Sequence, residues 1–186
     1  MSDSLDGTHV MVDIETMGKT PGHAVLSIGA VIFDSEGIQG EFSEEISLES
    51  CMDNDMDIDD DTLDWLENQD ASFTVEGRPL EDVLQHFSSW LPNGRYKVWA
   101  KSPSFDCKFL KDAYGRCGMD IPWAFWEQRD VRTAEEFFSY LTGQKEPEPD
   151  IEGTAHDPLY DAKQQALSVL ISQRRARDEQ IPEPLK

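Results

Sequence analysis

The segment HVMVDIETMG, residues 9–18, places two acidic side chains within an otherwise apolar run. Its first residues predict a buried β-strand, and side chains two positions apart on a strand point to the same face. Asp13 and Glu15 would therefore lie side by side, where their negative charges repel each other. A buried strand tolerates this pair only with a cation between the carboxylates, so the segment predicts a cation site.

The composition favours one domain without a membrane anchor or a disulfide framework. A length of 186 residues with 38% hydrophobic residues predicts a single domain, residues 1–186, with its core at 8–175. No apolar run approaches the roughly 20 residues of a membrane span, and the first ten residues lack a secretory signal. Irregularly spaced Cys51, Cys107 and Cys117 predict reduced thiols rather than disulfides or a zinc site. We therefore expect a cytoplasmic protein with no membrane partner.

The formal net charge of −22 is the most unusual bulk property of the chain. Thirty-eight acidic residues against 16 basic ones argue against a broad basic surface that would hold nucleic-acid phosphates. Adaptation to high salt, a metal site that needs acids, mimicry of nucleic acid and plain surface solubility all remain open explanations.

The order of predicted elements is typical of a mixed α/β domain with one central sheet. Apolar and alternating runs predict three consecutive strands, at 9–18, 25–34 and 38–48, which form an antiparallel meander. Helical spacing and shorter apolar runs predict the other elements: helices at 62–69, 78–91, 104–118, 134–141 and 157–179, and strands at 96–100 and near 125–133. The acidic, proline-rich segment 143–154 is expected to be a surface loop, and 180–186 a polar tail.

The run CMDNDMDIDDD, residues 51–61, contains six aspartates and is a candidate calcium-binding loop. A loop that begins at Asp53 has Ile58 at the position of the turn glycine and Asp64 at the position of the bidentate glutamate. The run therefore predicts a solvated loop, with Asp61 capping the helix that follows.

Two further acids are placed where they can complete the cation site. Asp106 begins a predicted helix after the strand at 96–100, and Asp161 lies in the first turn of the last helix, after His156. Helix N-termini that follow strands commonly carry functional groups in open α/β sheets. Four carboxylates at one point are hard oxygen ligands, which suit Mg²⁺ or Mn²⁺ rather than zinc.

Four motifs occur in a fixed order along the chain: DIET, the following SIGAV strand, SFD at the start of a helix, and HDPLYD at the start of the last helix. In these motifs the chain resembles the DEDDh branch of the DnaQ-like 3'-5' exonucleases, which have an RNase H-like fold. DTLDWLENQ and QRDVRTAEEF are similar to a subgroup of phage and prophage exonucleases and small bacterial exoribonucleases. The resemblance implies a three-layer α/β fold, in which helices flank a mixed central sheet whose second strand is antiparallel to its neighbours.

The resemblance also implies catalytic roles for five residues. Asp13, Glu15 and Asp161 would hold one divalent metal ion, Mg²⁺ or Mn²⁺, and Asp13 would bridge to a second ion that Asp106 reaches directly or through water. His156 would be the general base for the attacking water. The implied activity is hydrolysis of single-stranded nucleic acid from its 3' end, with DNA slightly favoured. An exoribonuclease that trims RNA ends and an inactive acidic mimic of nucleic acid are the alternatives, and the subgroup allows a homodimer.

Six further residues are candidates for contacts with the substrate: Ile14, Thr16, Met17, Phe105, Lys101 and Arg132. In the family the backbone beside the strand acids approaches the terminal nucleotide, and Met17 and Phe105 could stack against its base. Lys101 could contact a phosphate, and Arg132 matches an Arg-Thr pair of the subgroup. The alternatives are a core position for Phe105 and a structural ion pair for Arg132.

Overall fold

The computed structural model describes residues 7–68 and 76–178, and its centre is a five-stranded sheet. The strands are β1 (Thr8–Thr16), β2 (Val25–Asp34), β3 (Gly37–Glu45), β4 (Tyr96–Ala100) and β5 (Gln128–Asp130). Their order across the sheet is β3-β2-β1-β4-β5, so the strand with the two acids is central. β2 is antiparallel to β1 and β3, whereas β4 is parallel to both β1 and β5. The antiparallel meander and the mixed sheet are thus confirmed.

Helices cover both faces of this sheet. Within the described residues they are α1 (Leu48–Asp53), α2 (Asp60–Asn68), α3 (Leu80–Trp90), α4 (Asp106–Arg116), α5 (Val131–Thr142) and α6 (Pro158–Asp178). A short 3-10 helix, Phe125–Glu127, precedes β5. None of the described helices is long and apolar enough to cross a membrane. The end of the predicted helix at residue 69 and the predicted tail at 180–186 lie outside the described residues.

The acidic run at 51–61 is not the continuous solvated loop that its composition predicts. Its first residues belong to α1, where Cys51 is fully buried and its thiol donates to the Val25 carbonyl oxygen at 3.4 Å. The prediction that Asp61 caps the next helix is also wrong, because α2 begins one residue earlier. Asp59 instead accepts a hydrogen bond from the Thr62 hydroxyl at 2.6 Å. The buried residues Cys51 and Met56 thus anchor this acidic segment to the hydrophobic core.

Alternate residues of β1 pack into two separate cores. Val10, Val12 and Ile14 belong to the larger core, which includes buried residues of α3 and α4. Met11 points to the opposite face and packs in a smaller core with Val31 and apolar residues of α6. Because side chains alternate along a strand, Asp13 and Glu15 share the Met11 face. The sheet therefore presents both acids to the side that α6 covers.

Candidate metal centre and active site

The two strand acids lie at the carboxyl end of β1, beyond the end of its parallel neighbour. β4 pairs with β1 only as far as Met11, whereas β2 continues alongside Asp13 and Glu15. The register between β1 and β2 shifts immediately after Glu15. Such bulges occur often beside active sites, where they change the direction of a side chain. The acids are thus held by one neighbouring strand and remain open on the other side.

Gly29 of β2 allows α6 to approach the acids. It pairs with Asp13 across the sheet, and a Cβ at this position would overlap the backbone of Pro158 and Leu159. The absence of a side chain at Gly29 lets the first turn of α6 rest directly on the sheet. This contact brings Asp161, which lies in that turn, toward β1.

Glu15, His156 and Asp161 form a cluster in which one ligand atom from each residue lies within 4.8 Å of the others. The backbone N–H of His156 donates to Asp161 Oδ2 at 3.1 Å. His156 is exposed and has a φ of 69°, in the left-handed region that residues with a Cβ rarely adopt. An octahedral Mg²⁺ ion places neighbouring ligand atoms about 3 Å apart, so a modest contraction of this cluster would suit one ion.

Asp13 lies beside this cluster and accepts a hydrogen bond that the motifs do not predict. Gln165 Nε2 donates to Asp13 Oδ1 at 2.9 Å. Burial raises the pKa of Asp13 to about 7; the Gln165 hydrogen bond opposes this rise, and the charge of Asp161 adds to it. Gln165 follows Asp161 by four residues, about one helical turn, and so lies on the same face of α6. This spacing could have predicted that Gln165 lies near the carboxylates.

Glu15 and Asp161 are electrostatically coupled to their neighbours. Burial raises the pKa of Glu15 to about 8, and the charges of Asp13, Asp161 and Asp157 raise it further. Burial also raises the pKa of Asp161, whereas the His156 amide lowers it. The predicted repulsion between the two strand acids is therefore present, although burial is the larger cause of the raised pKa.

Asp106 approaches the strand acids from the first turn of α4 and is only 3% exposed. Burial raises the pKa of its carboxyl to about 8 and the charge of Asp13 adds to the rise, whereas the backbone amides of Asp106 and Ile14 and the charge of Arg132 lower it. β4 pairs with β1 only as far as Met11, so the Ile14 amide has no partner in β4. The Asp106 carboxyl interacts with this amide. The structure thus places Asp106 next to Asp13.

The donor set fits hard divalent cations. Four carboxylates, one buried and three half-buried, lie near one another, and each has a pKa above its ordinary range because its charged form is poorly solvated. A divalent cation would stabilise the charged forms that burial disfavours. Carboxylate oxygens are the ligands that Mg²⁺ and Mn²⁺ prefer.

The structure corrects one predicted contact with the substrate. Met17 is fully buried in the larger core, so its side chain has no surface for stacking on a base. Its backbone N–H donates to the Ala24 carbonyl oxygen, and its carbonyl oxygen accepts from the Asp59 N–H, both at 2.8 Å. Ile14 is also buried, and the Thr16 hydroxyl donates to the Gly18 carbonyl oxygen at 2.7 Å.

The other three candidates surround the site in different ways. Phe105 is half-buried, and its ring centroid lies 4.7 Å from that of Phe109, next to the larger core. Lys101 Nζ donates to Glu135 Oε2 at 3.0 Å, and its charge also lowers the pKa of Asp161. Arg132 is exposed and acts electrostatically on Asp106. Lys101 and Arg132 are therefore cations at the rim of an acidic site.

The fold and the carboxylate cluster agree with the resemblance to RNase H-like exonucleases. A family model described as the 3'-5' exoribonuclease Rv2179c-like domain matches residues 8–172. The chain belongs to this family. The description of this family agrees with the 3'-5' exonuclease activity that the motifs imply. No curated protein sequence matches the chain.

Solved structures confirm the fold. An exonuclease I structure matches with a TM-score of 0.71 at 15% identity, over 93% of this chain and 43% of that chain. E. coli exonuclease I in complex with a dA16 oligonucleotide matches with a TM-score of 0.67 at 16% identity, over 93% and 42% of the two chains. The nuclease domain of 3'hExo, a DEDDh family member bound to rAMP, matches with a TM-score of 0.63 at 14% identity, over 99% and 100%. The chain thus spans less than half the length of the exonuclease I chains.

Proposed function

We propose that this exonuclease removes nucleoside monophosphates from the 3' end of single-stranded nucleic acid. The observation that carries the proposal is the convergence of Glu15, Asp161 and His156 beside the half-buried carboxyl of Asp13 and the buried carboxyl of Asp106. The motifs slightly favour DNA as substrate, whereas the description of the family as an exoribonuclease domain favours RNA. Both polymers are therefore compared in the test.

Four carboxylates would hold two divalent ions, Mg²⁺ or Mn²⁺. Asp13, Glu15 and Asp161 would hold one ion, and Asp13 and Asp106 the other. When bound, two such ions lower the pKa of a water molecule and stabilise the charge on the reacting phosphate. Gln165 would orient the Asp13 carboxylate through the hydrogen bond at 2.9 Å.

His156 would accept the proton of the attacking water. An imidazole suits this step near neutral pH, provided that the ring lies within hydrogen-bond reach of the water. The ring shares a cluster with Glu15 and Asp161, and the His156 backbone amide is bonded to Asp161. The position of His156 would therefore depend on the position of Asp161, a proposed metal ligand.

The remaining candidates would contact the substrate at the rim. Arg132, which is exposed beside Asp106, and Lys101 would attract the phosphate of the terminal nucleotide. The backbone at Ile14 and Thr16 and the partly exposed ring of Phe105 would contact the sugar and base. Binding would depend on the terminal nucleotides and the metal ions, because the net charge of −22 opposes a long electrostatic track.

A homodimer, a cytoplasmic location and a single domain with its core at 8–175 remain predictions. The three cysteines are free thiols, which suits a reducing compartment. The family match over residues 8–172 supports the predicted extent of the domain. Sedimentation of the purified protein over a range of concentrations would test the homodimer directly.

The proposed activity is tested with 5'-labelled single-stranded DNA and RNA of one sequence, in Mg²⁺, Mn²⁺ or chelator. We expect a ladder of products shortened from the 3' end, only with metal, and loss of the ladder in Asp13→Ala. His156→Ala should slow the reaction by at least about 100-fold. Asp120→Asn, at an exposed loop position, is the matched control. Binding of either polymer without shortening would favour the acidic mimic instead.

A further inference from the structure

His156 lies in a tight turn immediately before α6. The backbone N–H of Asp157 donates to the Thr154 carbonyl oxygen at 3.1 Å, which closes a β-turn with Ala155 and His156 at its centre. His156 is the third residue of this turn and has a φ of 69°. Glycine is usual at such a position, because a residue with a Cβ is strained there. The conformation of His156 therefore depends on contacts with the surrounding structure.

Two hydrogen bonds connect this turn to the first turn of α6. The His156 backbone N–H donates to Asp161 Oδ2 at 3.1 Å, and the Tyr160 backbone N–H donates to Asp157 Oδ1 at 2.9 Å. Both bonds are exposed to solvent. Because water offers equivalent partners, each adds only a small net stabilisation. A packing contact is therefore needed to hold the strained turn in place.

Gly153 and the ring of Tyr160 supply this packing contact. A Cβ added at Gly153 would lie 2.0 Å from Tyr160 Cδ2 and 2.8 Å from Cγ and Cε2, so the ring lies directly against the Gly153 backbone. The contact is made by the ring rather than by the hydroxyl, which accepts a hydrogen bond from Gln164 Nε2 at 3.4 Å. Gly153 precedes His156 by three residues, and Tyr160 directly precedes Asp161. The ring therefore connects the loop of His156 to the turn of α6 that carries Asp161.

The ring of Tyr160 lies outside both hydrophobic cores of the described chain. Its neighbours in α6, Leu159 and Ala162, pack in the smaller core, whereas Tyr160 is half-buried and belongs to neither core. The stability of the fold should therefore depend little on this ring. Its contact with the loop is more consistent with a local role beside the active site.

We propose that Tyr160 is a positioning residue that holds His156 in the active site through its ring contact with Gly153. The inference rests on the proposed role of His156 as the general base. The ring fixes the Gly153 backbone, and the closed β-turn transmits this constraint to His156. Loss of the ring would leave Asp161 in α6 but would release His156 from its strained conformation. A displacement of the imidazole by about 1 Å is enough to slow a proton transfer by about 100-fold.

The first test measures the order of the His156 backbone amide by ¹⁵N relaxation in the full-length, metal-free protein. We expect an order parameter of about 0.85 in the wild-type protein and in Tyr160→Phe, which keeps the ring. The value should fall below about 0.6 in Tyr160→Ala and in Gly153→Ala, which break the contact from its two sides. Tyr140→Ala, at an exposed position of α5, is the control for loss of a tyrosine. Gly37→Ala is the control for backbone strain, because Gly37 has a φ of 139° and a Cβ there meets no atom within 4 Å.

The second test measures nuclease activity. Tyr160→Ala should lower kcat by about 10- to 100-fold with KM unchanged, because His156 is misplaced while the substrate contacts remain. Tyr160→Phe should retain the wild-type kcat. In a His156→Ala background, Tyr160→Ala should cause no further loss, since the residue through which Tyr160 acts is already absent.

Three results would overturn the proposal. These are a low order parameter of His156 already in the wild-type protein, a high order parameter that persists in Tyr160→Ala and Gly153→Ala, and multiplicative losses of kcat in the double variant. If one of the two variants fails to fold, the other still tests the same contact. An inactive wild-type protein would refute the proposed function, whereas the order parameters would still decide whether Tyr160 holds His156.

Discussion

Replacement of Asp106 by asparagine should make the stability of the metal-free protein less dependent on pH. Burial and the charge of Asp13 raise the pKa of the folded-state carboxyl from its ordinary 3.8 to about 8. Between these values the folded state binds more protons than the unfolded state, so the free energy of unfolding falls as the pH rises. This contribution is fully present below the unfolded pKa and is lost as the pH passes through the folded pKa.

The size of the effect follows from the burial of the side chain. Asp106 is 3% exposed, so solvent screens its interactions little. Between pH 5 and pH 7 the carboxyl is protonated in the folded state and ionised in the unfolded state, which costs about 1.4 kcal/mol per pH unit. The wild-type protein should therefore lose about 3 kcal/mol more than Asp106→Asn over these two pH units. The asparagine oxygen retains an acceptor for the Ile14 amide without the charge.

Urea unfolding in chelator at pH 5, 6 and 7 measures this difference. Asp120→Asn, which removes an exposed acid from the loop after α4, should behave like the wild-type protein. Mg²⁺ at pH 7 should stabilise the wild-type protein more than Asp106→Asn. A wild-type unfolding free energy that is constant or rises between pH 5 and 7, or an equal fall in Asp106→Asn, would refute the reasoning.

Three other changes test the site. Gly29→Ala should reduce nuclease activity at least about tenfold, because the added Cβ would overlap the backbone at the start of α6. The control is Gly115→Ala in α4, which should retain activity and stability because a Cβ there meets no atom within 4 Å. The hydrogen bond from Gln165 lowers the pKa of Asp13, so its removal in Gln165→Leu should raise that pKa and shift the acidic limb of the kcat/KM profile to higher pH. An unshifted limb would exclude a role for Gln165 in setting the pKa of Asp13. Binding of single-stranded oligonucleotides should weaken only slightly with salt. The slope of log K against log salt concentration should be about −1.4, which corresponds to contacts with two phosphates. A much steeper slope would indicate an extended electrostatic track.

The central features of the site could be predicted from the sequence because they follow from local periodicity and charge. Two acids in an apolar strand must share a face, and the structure places Asp13 and Glu15 on the α6 side of β1. Asp106 and Asp161 lie in the first turns of their helices, as the motif positions predict. The family resemblance supplied the mixed sheet, which strand patterns alone do not determine.

Other features depend on contacts between distant parts of the chain. The burial of Met17 depends on packing in the larger core, whereas its position beside the acids favours a surface role. The run of aspartates at 51–61 conceals two buried anchors, Cys51 and Met56. The packing of the Tyr160 ring against the preceding loop requires that loop to fold back onto α6, which no residue spacing predicts.

Binding of Mn²⁺ tests most directly whether the four carboxylates form a metal centre. Electron paramagnetic resonance measures the free ion during titration of the wild-type protein, Asp13→Asn and the control Asp120→Asn. We expect two ions per chain for the wild-type protein and the control, and loss of tight binding in Asp13→Asn, because Asp13 would contribute to holding both proposed ions. Equal Mn²⁺ binding by Asp13→Asn and the wild-type protein would contradict the explanation of the two acids in β1.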